Sequence, residues 1–299
     1  MKIYRILITV LNLVTATVVN AEKLSAIDLP VDNSKSFIGD NGVIRVGLVT
    51  IDPKEFNIRI VSVPFELKRA NVHSEFEDFS LRLFAQTILT LPKYHGSDVI
   101  VVNGGFSSYR VDIPFGLLIV DENVYSTAYT ESEETDSSLG ASVSGSGVRR
   151  FNGIICQRKD DNNWDIMAIK NYKPGICKQA LQAGPLLVEP DNKIGISSNE
   201  TDKSPYKTIK SPYSRTVICL TEDSKMKIVI SEKTYLFHLA QWLSTAESKG
   251  GLGCRVAINL SGDTSSGIAI KQSKESKIWY IGDGSFPLPS ALIIERKTK

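Results

Sequence analysis

At 299 residues, with 42% hydrophobic and 23% charged side chains, the chain has the make-up of a globular protein with ample material for a sizeable core. Its net charge of +2 is spread over interspersed lysines and acids, which argues against a nucleic-acid binder or a basic membrane-surface helix.

In chain order, the first signal is Lys2 and Arg5 ahead of an apolar run from Ile6 to Val19, closed by small residues at 19–21. This is the pattern of a secretory signal peptide over residues 1–21. The run is short and threonine-rich for a membrane span, leaving an uncleaved anchor as the alternative, and no later stretch is apolar for long enough to cross a bilayer. We therefore expect an exported protein, periplasmic or secreted, with no stable membrane span after signal cleavage. Residues 22–42 read as an N-terminal extension, and residues 43–299 as one domain.

Within that domain, residues 43–51 and 56–63 are rich in β-branched side chains and flank the turn Asp52-Pro53-Lys54, which predicts a hairpin. Phe76, Phe79, Leu83 and Ile88 fall near helical spacing behind Ser74 as a cap, and Pro92 stops the helix. Residues 98–102 form an apolar strand ending in Asn103-Gly104-Gly105. Paired glycines there either make a hairpin turn or let a ligand approach main-chain donors closely. Residues 131–149 are small and polar, reading as a loop or lid. Asp160 to Asp165 carries enough oxygens to suggest a calcium loop but lacks the EF-hand glycine and distal glutamate, so a hairpin turn is the better reading.

Further along, residues 180–188 pair an apolar strand with Gly184-Pro185 in mid-run, which implies an edge or a bulge. Ser214-Arg215-Thr216 opens another strand. Residues 234–249 give the clearest helix, with Leu236, Leu239, Ala240 and Leu243 on one face and Gly250-Gly251 ending it. Residues 255–267 read as a short buried strand breaking abruptly into small polar residues, and residues 278–281 and 290–294 supply closing strands. The fold class expected is α+β: a single domain with a mixed, largely antiparallel sheet flanked by helices.

Four cysteines, Cys156, Cys177, Cys219 and Cys254, allow three disulfide pairings in an exported chain, and the sequence does not choose among them. Their spacing does not match a zinc site, and His73, His95 and His238 sit in no metal-ligand pattern. No metal or cofactor is expected. Asn199 and Asn259 both begin glycosylation sequons. A glycan on Asn259 would block the loop that follows it, which favours a bacterial periplasm over a eukaryotic secretory route.

Taken in order, residues 102–106, Pro114-Phe115-Gly116, residues 180–188, Ser214-Arg215-Thr216, Leu239-Ala240, Gly253-Cys254, residues 257–260 and residues 287–292 resemble the phosphodiester glycosidase family. The resemblance implies a hydrolase that releases a sugar from a phosphodiester, with a carbohydrate or phosphorylated glycan as its substrate. Where the family pattern after Asn-Leu is Asp-Gly-Gly, this chain has Ser261-Gly262-Asp263. The carboxylate stands two places later than the pattern expects. The expected catalytic residues are Asp263, Arg215 and Asn259. Asn103, Gly104, Gly105, Gln182, Gly184, Ser261, Gly262 and Ser265 are expected to bind substrate, with Arg215 and main-chain donors on the phosphate. The competing expectation is a catalytically impaired periplasmic protein that binds, or helps assemble, a phosphorylated glycan.

Overall fold

The computed structural model describes residues 31–32, 35–39, 42–70, 80–106, 114–129, 151–196, 212–273 and 277–297. The signal segment, the Ser74 cap, the 131–149 loop and the Asn199 sequon lie outside the described residues.

Three antiparallel sheets enclose one interior core. In chain order the first strands are β1 (Val31–Asp32), β2 (Ser36–Gly39), β3 (Gly42–Ile51) and β4 (Phe56–Ser62), followed by helix α1 (Val63–Arg69) and helix α2 (Leu81–Leu89). Strands β5 (Val99–Asn103), β6 (Leu118–Val120), β7 (Asn123–Ser126), β8 (Gly153–Arg158), β9 (Trp164–Ala168) and β10 (Cys177–Ala183) come next. Then follow β11 (Leu186–Glu189), β12 (Lys193–Ile194), β13 (Tyr213–Leu220), β14 (Met226–Thr234) and helix α3 (Leu236–Ser244). The chain closes with β15 (Val256–Gly262), β16 (Gly267–Lys271), β17 (Ile278–Gly282) and β18 (Ser290–Arg296).

The large sheet runs β1-β3-β14-β13-β15-β11-β12, with β2 also on β3; the second runs β7-β6-β10-β8-β9 and the third β17-β16-β5-β18-β4. Successive side chains on a strand face opposite ways, and the sequence uses both faces. Ile100 and Val102 point into the common core while Val99 and Val101 meet α1 and α2. Ile218 and Leu220 likewise face inward, with Val217 and Cys219 under α3. Each fully buried Leu or Ile contributes about 2 kcal/mol, and the described helices α1, α2 and α3 cover outer sheet faces.

The chain is thus more β-rich than the α+β expectation of one mixed sheet, and every described strand pairing is antiparallel. The predicted hairpin of β3 with β4 does not form. β3 pairs with β14 and β4 with β18, so the turn capped by Asp52 carries the chain from one sheet to another. Both flanking residues, Ile51 and Phe56, plug the shared core, and a sequence pattern cannot tell this crossing from a hairpin. Nor does Asn103-Gly104 turn a hairpin, because β5 pairs with β16 and β18. Helix α2 begins at Leu81 behind Ser80, whose hydroxyl accepts from the Leu83 amide.

Other expectations hold. β8 and β9 form the hairpin across residues 159–163, and the Asp160 carboxylate is gripped by Arg158. The Gly184-Pro185 break is where the chain passes from the second sheet to the large one, and β11 enters with a bulge against β15. The cysteines pair as Cys156–Cys177 and Cys219–Cys254. No helix among the described residues is long and apolar enough to cross a membrane.

Candidate active site

A cleft of about 250 Å³ opens where the third sheet meets the large one. Asn103, at the end of β5, is fully buried and braces the junction. Its Oδ1 accepts from the Thr216 hydroxyl of β13 at 2.6 Å and from the Gly267 amide of β16 at 3.0 Å, while its Nδ2 donates to the Gly104 carbonyl at 3.1 Å. Gly104 is required by close approach rather than by a turn. A Cβ there would come within 2.5 Å of the Ser290 carbonyl oxygen, which accepts from the Gly104 amide.

Arg215 lies on β13 opposite Gly262 of β15, and the pairing slips on both sides of it, against β14 and against β15. Such irregularities re-aim a side chain off the regular pleat. Here they put a long cationic side chain that is only 1% exposed against the cleft, over the Tyr213 ring at 5.3 Å. Gly262 accommodates it, since a Cβ at that position would sit 2.7 Å from Arg215 Nη1.

Beyond Gly262 the chain makes a single 3-10 turn, Asp263–Ser265, closed by the Ser266 amide donating to the Asp263 carbonyl at 3.0 Å. Asp263 adopts φ +56, the left-handed region in which glycine is easiest and aspartate is among the better-tolerated alternatives. Ser261 lines the cleft at 6% exposure, and Asp263 lines it from the exposed side.

Seven of the residues expected from sequence therefore meet in one place: Asn103, Gly105, Arg215, Ser261, Gly262, Asp263 and Ser265. Gly104, between two of them in sequence, is not among the residues that line the cleft. Gln182, Gly184 and Asn259 do not line the cleft. The Gln182 carboxamide accepts from the Leu117 and Tyr129 amides and donates to the Tyr129 and Phe151 carbonyls, so all four of its hydrogen-bonding positions are occupied. Asn259 is fully buried with its Nδ2 donating to the Gly184 carbonyl at 3.0 Å, and that residue's amide donates back to the Asn259 carbonyl. The pair fastens β15 to the sheet-to-sheet crossing. The same burial leaves the Asn259 sequon no room for a glycan in the folded chain.

Sequence reasoning missed the apolar part of the lining: Phe106, Tyr213, Phe286, Pro287 and Leu288. Phe106, Phe286, Pro287 and Leu288 lie outside the strands, where no periodicity marks them, and Tyr213 stands at the very start of β13; only their neighbourhood to Gly105, Arg215 and the closing strand hinted at them. Among the described residues no group of three or more His, Cys, Asp or Glu side chains is placed to hold a metal ion.

Residues 97–295 match the family model described as phosphodiester glycosidase, and this span contains every residue of the cleft. The chain belongs to the phosphodiester glycosidase family. Membership places it among glycosidase-type hydrolases, and the expected resemblance is shown. Among solved structures, the chain resembles the zebrafish N-acetylglucosamine-1-phosphodiester alpha-N-acetylglucosaminidase catalytic domain auto-inhibited by its pro-peptide. That match has 13% identity and a TM-score of 0.55, covering 91% of this chain and 85% of that one. A hypothetical protein from Synechocystis matches at 12% identity and a TM-score of 0.51, covering 88% of this chain and 61% of that one. At such identities the likeness establishes the fold. None of the curated proteins matches the sequence.

The family pattern also makes sense of the loop. The position that the expected family pattern fills with its second glycine is Asp263, here a left-handed residue. A positive φ suits glycine, and aspartate is among the residues that tolerate it.

Proposed function

We propose that this protein is an exported hydrolase that cleaves the anomeric C–O bond of a sugar 1-phosphodiester in a surface polysaccharide or related glycoconjugate. The observation that carries this reading is the convergence of a buried Arg215 and a carboxylate, Asp263, on one small cleft within the family-matched span. Export is supported by the signal-like leader and by two disulfides, which persist in oxidising compartments.

The chemistry suits so spare a site. The leaving group is a phosphomonoester whose second ionisation lies near ~6, so it departs as a stable anion and needs little of the acid assistance that ordinary glycosidases give with a raised-pKa carboxyl. As the C1–O bond breaks, its electron pair goes to the phosphate oxygen, where Arg215 and main-chain amides balance the charge. Positive charge grows at C1, and the Asp263 carboxylate accepts the proton of the water that adds there. Ser261 offers a hydroxyl for substrate hydrogen bonding, and Asn103 keeps the two sheets in register around the reacting atoms.

A second reading rests on one specific observation: the position that the family pattern gives to aspartate is Ser261, and Asp263 stands on the exposed side of the cleft. On that reading the protein binds or helps assemble a phosphorylated glycan without cleaving it. The deciding experiment measures sugar release from a panel of sugar 1-phosphodiesters by the mature chain, with Arg215→Ala and Asp263→Asn alongside. Turnover lost in both variants, at near wild-type melting temperature, supports the hydrolase. Binding that depends on Arg215 but not on Asp263, with no turnover, replaces it with the binding protein.

A further inference from the structure

Arg215 brings its charge to the cleft from a place where a cation is costly to keep. It is only 1% exposed, and a charge taken out of water needs protein groups to stand in for its hydration. Its long side chain also gives up many rotamers when it is held in one. Whatever holds the guanidinium must at the same time leave it able to donate hydrogen bonds to an anion.

Tyr213 meets both demands. It stands two residues earlier on β13, half-buried, and lines the same cleft, with the Arg215 Cζ 5.3 Å from its ring centroid. That lies within the ~6 Å reach of a cation–π contact, which strengthens as the cation is desolvated. A ring draws the guanidinium through its quadrupole and offers no carboxylate oxygen to compete with a phosphate for the N–H fork. The pairing of β13 slips against β14 between Tyr213 and Arg215 and against β15 between Arg215 and Val217, so the two side chains meet where the pleat is irregular. On β15, Gly262 leaves no space for a side chain beside Arg215 Nη1. The Tyr213 hydroxyl, in contrast, has no hydrogen-bond partner among the described residues.

We infer that Tyr213 is a positioning residue for Arg215: its ring fixes and dehydrates the guanidinium so that the charge meets the phosphate oxygens undiminished, and its hydroxyl takes no part. This inference rests on the contact between Arg215 and phosphate proposed above and adds the group that holds the cation ready for it.

The test titrates inorganic phosphate into the mature chain by calorimetry and, on the same proteins, follows sugar release from the panel of sugar 1-phosphodiesters. Tyr213→Leu is expected to weaken phosphate binding about tenfold, within the range of a desolvated cation–π contact. It should lower kcat more than it raises KM, because the charge that Arg215 meets grows as the C1–O bond breaks. Tyr213→Phe, which keeps the ring, should remain within about twofold of wild type. In an Arg215→Lys background, which keeps the charge without the planar fork, adding Tyr213→Leu should cost less than about twofold further, since residues that act through one another are not additive. An equal loss in Tyr213→Phe assigns the role to the hydroxyl, the full loss in the lysine background shows that the ring touches the ligand itself, and unchanged affinity in Tyr213→Leu removes the role altogether. Each of these overturns the inference, as does a wild-type phosphate affinity indifferent to Arg215→Ala. Phosphate binding that depends on both Arg215 and Tyr213, without turnover of any ester, ends the hydrolase reading and leaves this inference standing.

Discussion

The Asn103 side chain accepts the Thr216 hydroxyl at 2.6 Å, and through this bond the end of one sheet is tied to the middle strand of another directly beneath the cleft. Thr216 and Asn103 are both inaccessible to solvent, so nothing replaces a lost partner. Asn103→Ala orphans the Thr216 hydroxyl and the Gly267 amide together, and each buried unsatisfied group costs roughly 1–3 kcal/mol. We expect Asn103→Ala to lose about 2–4 kcal/mol in denaturant unfolding, and Thr216→Val, which leaves only an Asn103 lone pair unmatched, to lose about 1 kcal/mol.

Gln182 makes the contrasting case of a residue whose polar groups all face protein. Replacing it by leucine removes the contacts that its carboxamide makes to the Leu117 and Tyr129 amides and to the Tyr129 and Phe151 carbonyls. Gln182→Leu is therefore expected to destabilise by about 3 kcal/mol or more, and Gln182→Glu, which sets a buried carboxylate oxygen against the Tyr129 and Phe151 carbonyls, by no less. Equal unfolding midpoints for wild type and Gln182→Leu would contradict the role.

How much of this was legible beforehand follows from the same residues. Strand ends that switch abruptly to glycine and small polar residues, at Asn103 and at Ser261, did mark the cleft, because small side chains there leave open space at the sheet edge. Arg215 was legible as an arginine beginning an apolar strand. What could not be read is which polar residue looks outward: Gln182 and Asn259 sit in the same kind of strand-to-glycine context as Asn103, and only the partner strands decide that their carboxamides turn into the protein. The crossing at Asp52 is a further instance. Turn chemistry is local, whereas the choice of sheet depends on which strand arrives alongside.

Gly262 gives a sharper test of the floor. A methyl group there would press on Arg215 Nη1 at 2.7 Å, and a guanidinium enclosed this tightly has little room to retreat. Because φ at Gly262 is −141, ordinary extended backbone, alanine is conformationally allowed and the effect isolates the displacement of the cation. A shift of about 1 Å in a positioned group can lower turnover about 100-fold. We expect Gly262→Ala to lose turnover on that scale, with the overpacking around the buried guanidinium costing about 1–3 kcal/mol of stability, as read by kinetics and calorimetry on the same sample.

Away from the site, Asp223 in the β13–β14 turn is held well below the ordinary carboxylate range, at about 2, by its bonds to Lys225 and to the Thr221 hydroxyl. A depressed carboxylate contributes stability that is complete above its unfolded pKa, near ~4. That contribution disappears as pH falls through about 2. Carboxyl NMR should therefore give Asp223 a midpoint near that value, moving upward towards the ordinary range in Lys225→Ala.

The exchange of positions between Ser261 and Asp263 makes the most direct prediction about chemistry. Both side chains line the same cleft, and residue 263 has a left-handed backbone that glycine adopts readily. If the hydrolase needs one carboxylate in the cleft rather than a carboxylate at one sequence position, Asp263→Gly alone should reduce turnover about 100-fold or more, within the 10²–10⁴ range of a general base. Adding Ser261→Asp should then restore a substantial part of it, because that double variant recreates the Asp-Gly-Gly order. The backbone is expected to tolerate the pair well, since glycine relieves the left-handed strain while adding chain entropy to the unfolded state, two effects of similar size and opposite sign. Rescue measured against Asp263→Gly would establish that the carboxylate has moved along the loop with its function intact. A double variant as inactive as the single one would show instead that Ser261 is a position the chain has given over to binding.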